Sequence, residues 1–165
     1  MKKVISEILD STAGELNKAE QIQAQAITSA LSETQPAVMG FLMNAGEGVF
    51  NDDEREWFSY LGIALLKSAL KVEPALPQIT PEMLEKAATD AIETVRKMRE
   101  TGADSGVMPE GIAEMLGETK QPEMIKFVIA AMGVANGDQK RVREQNTSTM
   151  FFFLKILVDT MNGSC

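Results

Sequence analysis

The chain has 165 residues, a formal net charge of −8, no histidine and one cysteine. A chain of this size can bury roughly 70% of its unfolded surface, so one hydrophobic core can stabilise it without a metal or a disulfide. The absence of histidine excludes Ser-His-Asp triads and histidine-ligated zinc or iron sites, and the lone Cys165 excludes intrachain disulfides. Carboxylates are therefore the main groups left for any catalysis.

The charge and the apolar segments predict where the protein works. An acidic chain opposes nucleic-acid binding, because that binding needs Lys and Arg to neutralise phosphates. The most apolar stretch, residues 150–158, contains Lys155 and is much shorter than the roughly 20 residues of a membrane-spanning helix. Glu7 and Asp10 interrupt the region where a signal peptide would need an apolar run. We therefore expect a cytoplasmic protein that binds neither nucleic acid nor membrane.

The first half of the chain has the periodicity of helices. Apolar residues recur every three or four positions after Pro36, in residues 38–45, which predicts a helix that begins near this proline. The acidic run Asn51–Glu56 has the composition of a helix start, which we favour over a cation site. Residues 57–70 are apolar nearly all round, which predicts a buried helix.

Helical signals continue through the second half. Thr80 suits an N-cap and Pro81 the first helical position of a helix that ends near Gly102. One face of that helix carries an apolar seam: Leu84, Ala88, Ala91, Val95 and Met98. A second apolar face lies in residues 124–135, and residues 150–161 predict another buried helix.

An internal repeat relates the two halves. Residues 27–36 resemble residues 112–122, and six of ten positions are identical once Lys120 is treated as an insertion. Periodicity does not explain the matching Glu, Thr, Gln and Pro, so the similarity favours duplication. We interpret the repeated Glu-Thr-Gln-Pro as a helix start, with Thr34 or Gln35 as the cap.

The predicted fold is therefore an all-α helical bundle built from two tandem, duplicated multi-helix units with a pseudo-twofold relation. Residues 1–73 form the first unit and residues 80–165 the second, with a proline-rich linker at residues 74–81. We expect the two units to pack together as one globular domain, with the two most apolar helices at its centre.

One helix has an enzyme-like pattern of acidic residues, namely Glu82, Glu85, Asp90 and Glu93. Carboxylates are the ligands that Mg²⁺ prefers, so these residues define the alternative of a metal-dependent nucleotide phosphohydrolase. The apolar seam occupies the buried side of the same helix, which predicts a solvated face for most of these acids. Mg²⁺ enters only under this alternative, and we otherwise expect no cofactor.

The favoured function is a non-catalytic interaction or adaptor protein that binds a partner protein or peptide through an apolar, Met-lined surface. Eleven methionines are present, and methionine suits surfaces that accept varied apolar partners. Core packing is the structural alternative for these residues. The remaining possibilities are a small-ligand sensor with a pocket between the halves and a homodimer formed through Phe151–Phe153. The candidate binding residues are Met115, Met124, Phe127 and Met132.

Overall fold

The computed structural model describes residues 1–100, 119–135 and 142–163, with side chains described for 1–93, 119–133 and 142–163. These residues form seven helices and no strand, which confirms the all-α prediction for the described part of the chain. None of these helices is long and apolar enough to cross a membrane. The helices are α1 (Ser6–Lys18), α2 (Gln21–Thr34), α3 (Pro36–Asn44), α4 (Asp52–Val72), α5 (Pro81–Glu100), α6 (Pro122–Ala135) and α7 (Glu144–Gly163).

Helices α4 and α7 lie at the centre and pack against each other. These are the two helices that the sequence predicts to be apolar nearly all round. Phe58, Leu61 and Leu65 of α4 are fully buried, as are Leu154 and Leu157 of α7. Full burial of each such side chain stabilises the fold by about 1.5–3 kcal/mol. Helices α1 and α3 pack on α4, while α5 and α6 pack on α7.

Local hydrogen bonds explain where α4 and α5 begin. Asn51 Oδ1 accepts the Glu54 N–H at 2.9 Å, and the Glu54 carboxylate accepts the Asn51 N–H at 3.0 Å. This capping box confirms that the acidic run begins a helix. Helix α5 begins at Pro81, and Thr80 Oγ1 accepts the Met83 N–H at 3.4 Å. The predicted N-cap of this helix is therefore in place.

An aromatic cluster fills the space between α3, α4 and α7. The Phe153 ring lies 6.0–6.1 Å, centroid to centroid, from the rings of Phe41, Phe50 and Phe58. Phe151 is buried and Phe152 is half-buried. Much of the apolar surface predicted to form a homodimer is thus used within the chain, and the homodimer stays a prediction.

One glycine of α4 determines how closely α3 can approach that helix. A Cβ added at Gly62 of α4 would overlap the side chain of Leu42, so this glycine lets α3 approach α4 closely.

In the predicted linker, the side chains of Leu76 and Ile79 are buried in the core. These two side chains therefore attach the predicted linker to the core, while the other residues of the range 74–81 are exposed.

Candidate functional site

Gln121 immediately precedes α6, and its fully buried side chain binds the backbone of a segment far away in the sequence. Its Nε2 donates to the Lys2 carbonyl at 2.9 Å, and its Oε1 accepts the Val4 N–H at 2.9 Å. The Gln121 N–H in turn donates to Thr119 Oγ1 at 3.1 Å, which helps to fix the position of the glutamine. We call this arrangement, with residues 2–4 bound to Gln121, the Gln121 clamp.

Gln35 forms the same arrangement immediately before α3. Its Nε2 donates to the Pro77 carbonyl at 3.2 Å, and its Oε1 accepts the Ile79 N–H at 2.9 Å. The Gln35 side chain is buried, and Val4 and Ile79 are each only 1% exposed. We call the set of residues 77–79 and Gln35 the Gln35 clamp.

The two clamps are reciprocal. In each clamp, a glutamine that precedes one helix binds the segment that precedes another helix. Gln121 precedes α6 and binds residues 2–4, which precede α1. Gln35 precedes α3 and binds residues 77–79, which precede α5. The sequence predicts only a capping role for Gln35, but its side chain makes no cap hydrogen bond. The identical Gln-Pro pair in both repeats was the sequence signal for a shared tertiary role, although it does not reveal the bound backbone groups.

A buried carboxylate joins the starts of α4 and α7. Glu54 is fully buried and accepts the Arg143 N–H at 2.7 Å, Arg143 side-chain donors at 2.9 and 3.1 Å, and Asn146 Nδ2 at 2.9 Å. Both Arg143 and Asn146 also donate to the Val49 carbonyl. We call these four residues the Glu54 junction.

The protonation of Glu54 follows from these donors. Burial by itself raises the pKa of this carboxyl, but the hydrogen bonds from Arg143, Asn51 and Asn146 outweigh burial and hold the pKa at about 2. The pairing also raises the pKa of the Arg143 guanidinium. The carboxylate oxygens accept hydrogen bonds from residues at the start of α4 and at the start of α7. Glu54 therefore holds these two helix starts together.

The four acids of the alternative metal site lie along α5. Glu82, Glu85 and Asp90 are exposed, and Glu93 is half-buried. Glu82 and Glu93 are separated by about 16 Å of helix axis, so a single ion cannot contact both. In the described part of the chain, no three acidic or cysteine side chains are placed to hold one metal ion. A metal-dependent activity at these residues stays a prediction.

The predicted Met-lined surface has a different environment from the one expected. Met124 and Met132 are buried in the core, and Phe127 is half-buried against it. Met115 lies outside the described residues. In this conformation Met124 and Met132 contribute to core packing, so neither methionine is exposed to a partner. A binding role for the four residues stays a prediction.

Helix α2 presents the most unusual surface of the described residues. All of its residues except Ile27 and Leu31 are exposed, and no charged residue occurs between Gln21 and Ser32. Ile22 is 79% exposed. The sequence-based prediction missed this surface because weak helical amphipathicity does not reveal which face tertiary packing leaves open.

A cleft of about 450 Å³ lies between α5 and α7. Its walls include Lys86, Lys120 and Lys155 together with Asp90 and Asp159. Lys155 is paired with Asp159, so part of this charge is already compensated. The described lining residues all fall in the second predicted unit, whereas the predicted sensor pocket lies between the units.

No family model matches the chain, and neither a curated protein nor a solved structure is significantly similar to it. The geometry of the described residues is therefore the basis for inferring a function.

Proposed function

We propose that the protein is a non-catalytic helical interaction protein that binds a partner protein through the exposed face of α2. The observation that carries this proposal is an exposed helix that has no charged residue from Gln21 to Ser32, in a chain of net charge −8. A surface helix usually places charged residues on its solvent side, and the centres of protein interfaces are depleted of charge. Residues 21–32 of α2 share this depletion of charge.

The side chains of α2 favour close approach by a second helix or groove. Ala24, Ala26 and Ala30 are small and exposed, and Ile22 supplies a larger apolar contact at the start of the helix. Ordering long flexible side chains costs about 0.5–1.5 kcal/mol each on binding. The three alanines avoid that cost, although the exposed glutamines at positions 21, 23 and 25 do not.

The two carboxyls whose pKa is about 2 are poorly suited to act as a general base. Hydrogen bonds from Lys71 and Lys67 lower the pKa of Glu15, and Glu54 belongs to the Glu54 junction. A general base works best with a pKa near the operating pH. These two carboxylates are instead fixed in ion pairs that join helices.

We also infer that the chain contains two copies of one helical unit, residues 1–73 and 80–165, related by a pseudo-twofold axis. The reciprocal clamps support this inference, since each unit binds the extended segment before the first helix of the other. Glu54 and Asn146 are both the third residue of their helices, α4 and α7, and they bond to each other at 2.9 Å. Equivalent residues near a twofold axis are expected to meet in this way.

The binding proposal is tested with Ile22→Asp and with Ile92→Asp, which changes an equally apolar side chain on α5 that is 62% exposed. Immobilised wild-type and variant chains are incubated with extract of cells that express the protein, and retained proteins are quantified by mass spectrometry. We expect the partner to be identified as a retained protein whose amount falls at least about tenfold when Ile22→Asp replaces the wild-type chain. The amount of the same protein should be unchanged with Ile92→Asp.

Both substituted residues are exposed, so circular dichroism should show the wild-type helix content for each variant. If no retained protein depends on Ile22, or if Ile92→Asp loses the same proteins, the α2 face is not the binding surface and the proposal fails.

A further inference from the structure

The cleft between α5 and α7 carries charged side chains of both signs on its walls. Lys86 and Asp90 lie one turn apart on α5, about 6 Å along the helix axis. Lys155 and Asp159 lie one turn apart on α7 and form an ion pair, and Lys120 adds a third ammonium group. The cleft volume of about 450 Å³ lies within the range of small-molecule sites, roughly 300–1,000 Å³.

Lys155 is the one charged residue in the most apolar stretch of the chain, residues 150–158. Its side chain is only 15% exposed, and burying an ammonium group is costly unless the group is paired. Its ion-pair partner, Asp159, lies on the same helix, whereas the ion pairs of Glu54 and Glu15 join different helices. Among the described residues Lys155 thus forms no ion pair with another helix, and its charge lines the cleft.

Lys86 and Lys120 are exposed at the cleft. Where the structure describes side chains, neither lysine forms an ion pair with an acidic residue. Their ammonium groups are therefore open to an anionic group of a ligand. A chain of net charge −8 repels anions as a whole, so two such lysines at one cleft are a local exception.

In the first of the two units inferred above, an ion-pair network joins α1 and α4. Lys67 and Lys71 of α4 donate to the Glu15 carboxylate of α1 at 3.0 and 2.7 Å. Helices α5 and α7 are the corresponding pair in the second unit, and they also pack against each other. The residues that line the cleft can therefore be compared with those of the network.

The position that corresponds to Glu15 holds an acidic residue in the second unit. Val4 and Ile79 are the residues whose N–H groups the two clamps bind. Glu15 lies eleven residues after Val4, and Asp90 lies eleven residues after Ile79. A carboxylate therefore occurs on the first helix of the pair in both units.

The positions that correspond to the two lysines hold no ammonium group. Lys67 and Lys71 are the sixteenth and twentieth residues of α4. Asp159 and Gly163 are the sixteenth and twentieth residues of α7, and both line the cleft. The second unit therefore has a carboxylate and a glycine where the first unit has two ammonium groups, and the cleft lies at this place.

We propose that the cleft binds a small zwitterion of the ω-amino acid type, with its two charged groups about 6 Å apart. The ligand's ammonium takes the place of the missing lysine ammoniums, between Asp90 and Asp159. Its carboxylate contacts Lys86 and Lys120. Asp159 accepts this further donor while it is bonded to Lys155, because a carboxylate has about four acceptor sites. This site is separate from the α2 surface and does not depend on it.

The test compares 5-aminopentanoate with pentanoate and pentylamine, which each carry one of its two charges. Titrations of the wild-type chain, followed by NMR of the backbone amides, should give a dissociation constant of about 1 mM or lower for 5-aminopentanoate. The constant should be at least about tenfold higher for each of the other two ligands. The largest shifts should fall on the amides of Ala87, Ala91 and Asn162, which line the cleft.

Two variants at exposed positions separate the two ends of the site. Lys120→Ala removes a contact with the carboxylate, so 5-aminopentanoate should bind this variant no more tightly than pentylamine binds the wild type. Asp90→Asn removes a contact with the ammonium, so the affinity should fall to that of pentanoate for the wild type. Lys126→Ala is the control, because Lys126 is exposed, pairs with Glu123 on α6 and does not line the cleft. Its affinity should be unchanged.

Equal affinities of the wild type for 5-aminopentanoate and for either single-charge ligand overturn the proposal, as do amide shifts that lie outside the cleft. An absence of binding up to about 10 mM also overturns it. A loss of affinity with Lys126→Ala equal to the loss with Lys120→Ala does the same. Because the three ligands are compared on the wild-type chain, the comparison decides the question even if a variant unfolds.

Discussion

Glu54 shows how one buried charge can be stabilised by residues distant in sequence. Its carboxylate accepts the N–H of Asn51, the N-cap of its own helix, and also accepts hydrogen bonds from Arg143 and Asn146 at the start of α7. The Arg143 side chain remains 48% exposed, so its charge keeps contact with water. Only the carboxylate therefore loses most of its hydration, and its donors replace that loss.

Glu54→Gln should destabilise the fold by about 2 kcal/mol at neutral pH, since hydrogen bonds to a charged group contribute about 1.5–3 kcal/mol. The folded pKa of about 2 lies below the ordinary value of 4.5, so the unfolded chain binds more protons between these values. The carboxylate's contribution is complete above about pH 4.5 and is lost as the pH falls toward 2. Urea unfolding across this range should show the difference between variant and wild type shrinking with falling pH.

Glu15→Gln is the matched control. The Glu15 pKa is also about 2, through hydrogen bonds from Lys71 and Lys67, but the Glu15 side chain is 46% exposed. High salt should remove the effect of Glu15→Gln, because the Debye length falls to about 3 Å at about 1 M salt. A Glu54→Gln effect that disappears equally at high salt would show that the Glu54 junction is not a buried interaction.

At the scale of elements, the clamps are equivalent connections between extended segments and helices. Gln35→Ala and Gln121→Ala each remove two hydrogen bonds and leave buried backbone groups without partners. We expect each to lower the free energy of unfolding by about 1–3 kcal/mol. The two effects should be similar and nearly additive, because the clamps share no partner. Urea denaturation of both single variants and the double variant measures this.

Gln25→Ala on the exposed face of α2 is the control, and it should change stability by less than about 0.5 kcal/mol. A large effect at one clamp with none at the other would contradict their equivalence and remove the main support for two related units.

The elements also show which structural features the sequence can predict. Capping residues and apolar periodicity are local, so the start of α5 at Pro81 and the buried central helices could be predicted from them. The clamps could not, because the groups that Gln121 binds lie 117 and 119 positions away. For Met124 and Met132, spacing indicates one helix face but does not distinguish a core from a binding groove.

At the scale of the whole molecule, the arrangement of charge matters more than its total. A net charge of −8 predicts repulsion of nucleic acid but does not show where the surface lacks charge. That information comes from packing, which leaves α2 exposed and places the charged Glu54 between the two central helices. The exposed part of α2 without charge, residues 21–32, is consequently the surface on which the proposed function depends.

Site-specific photo-crosslinking tests that function most directly. Ile22 is replaced by the photoreactive amino acid p-benzoyl-phenylalanine in cells that express the protein, and Ile92 is replaced in a parallel control. We predict a crosslinked adduct of one defined mass from position 22 and none of that mass from position 92. An absence of adducts at position 22, or the same adducts at both positions, would contradict the account.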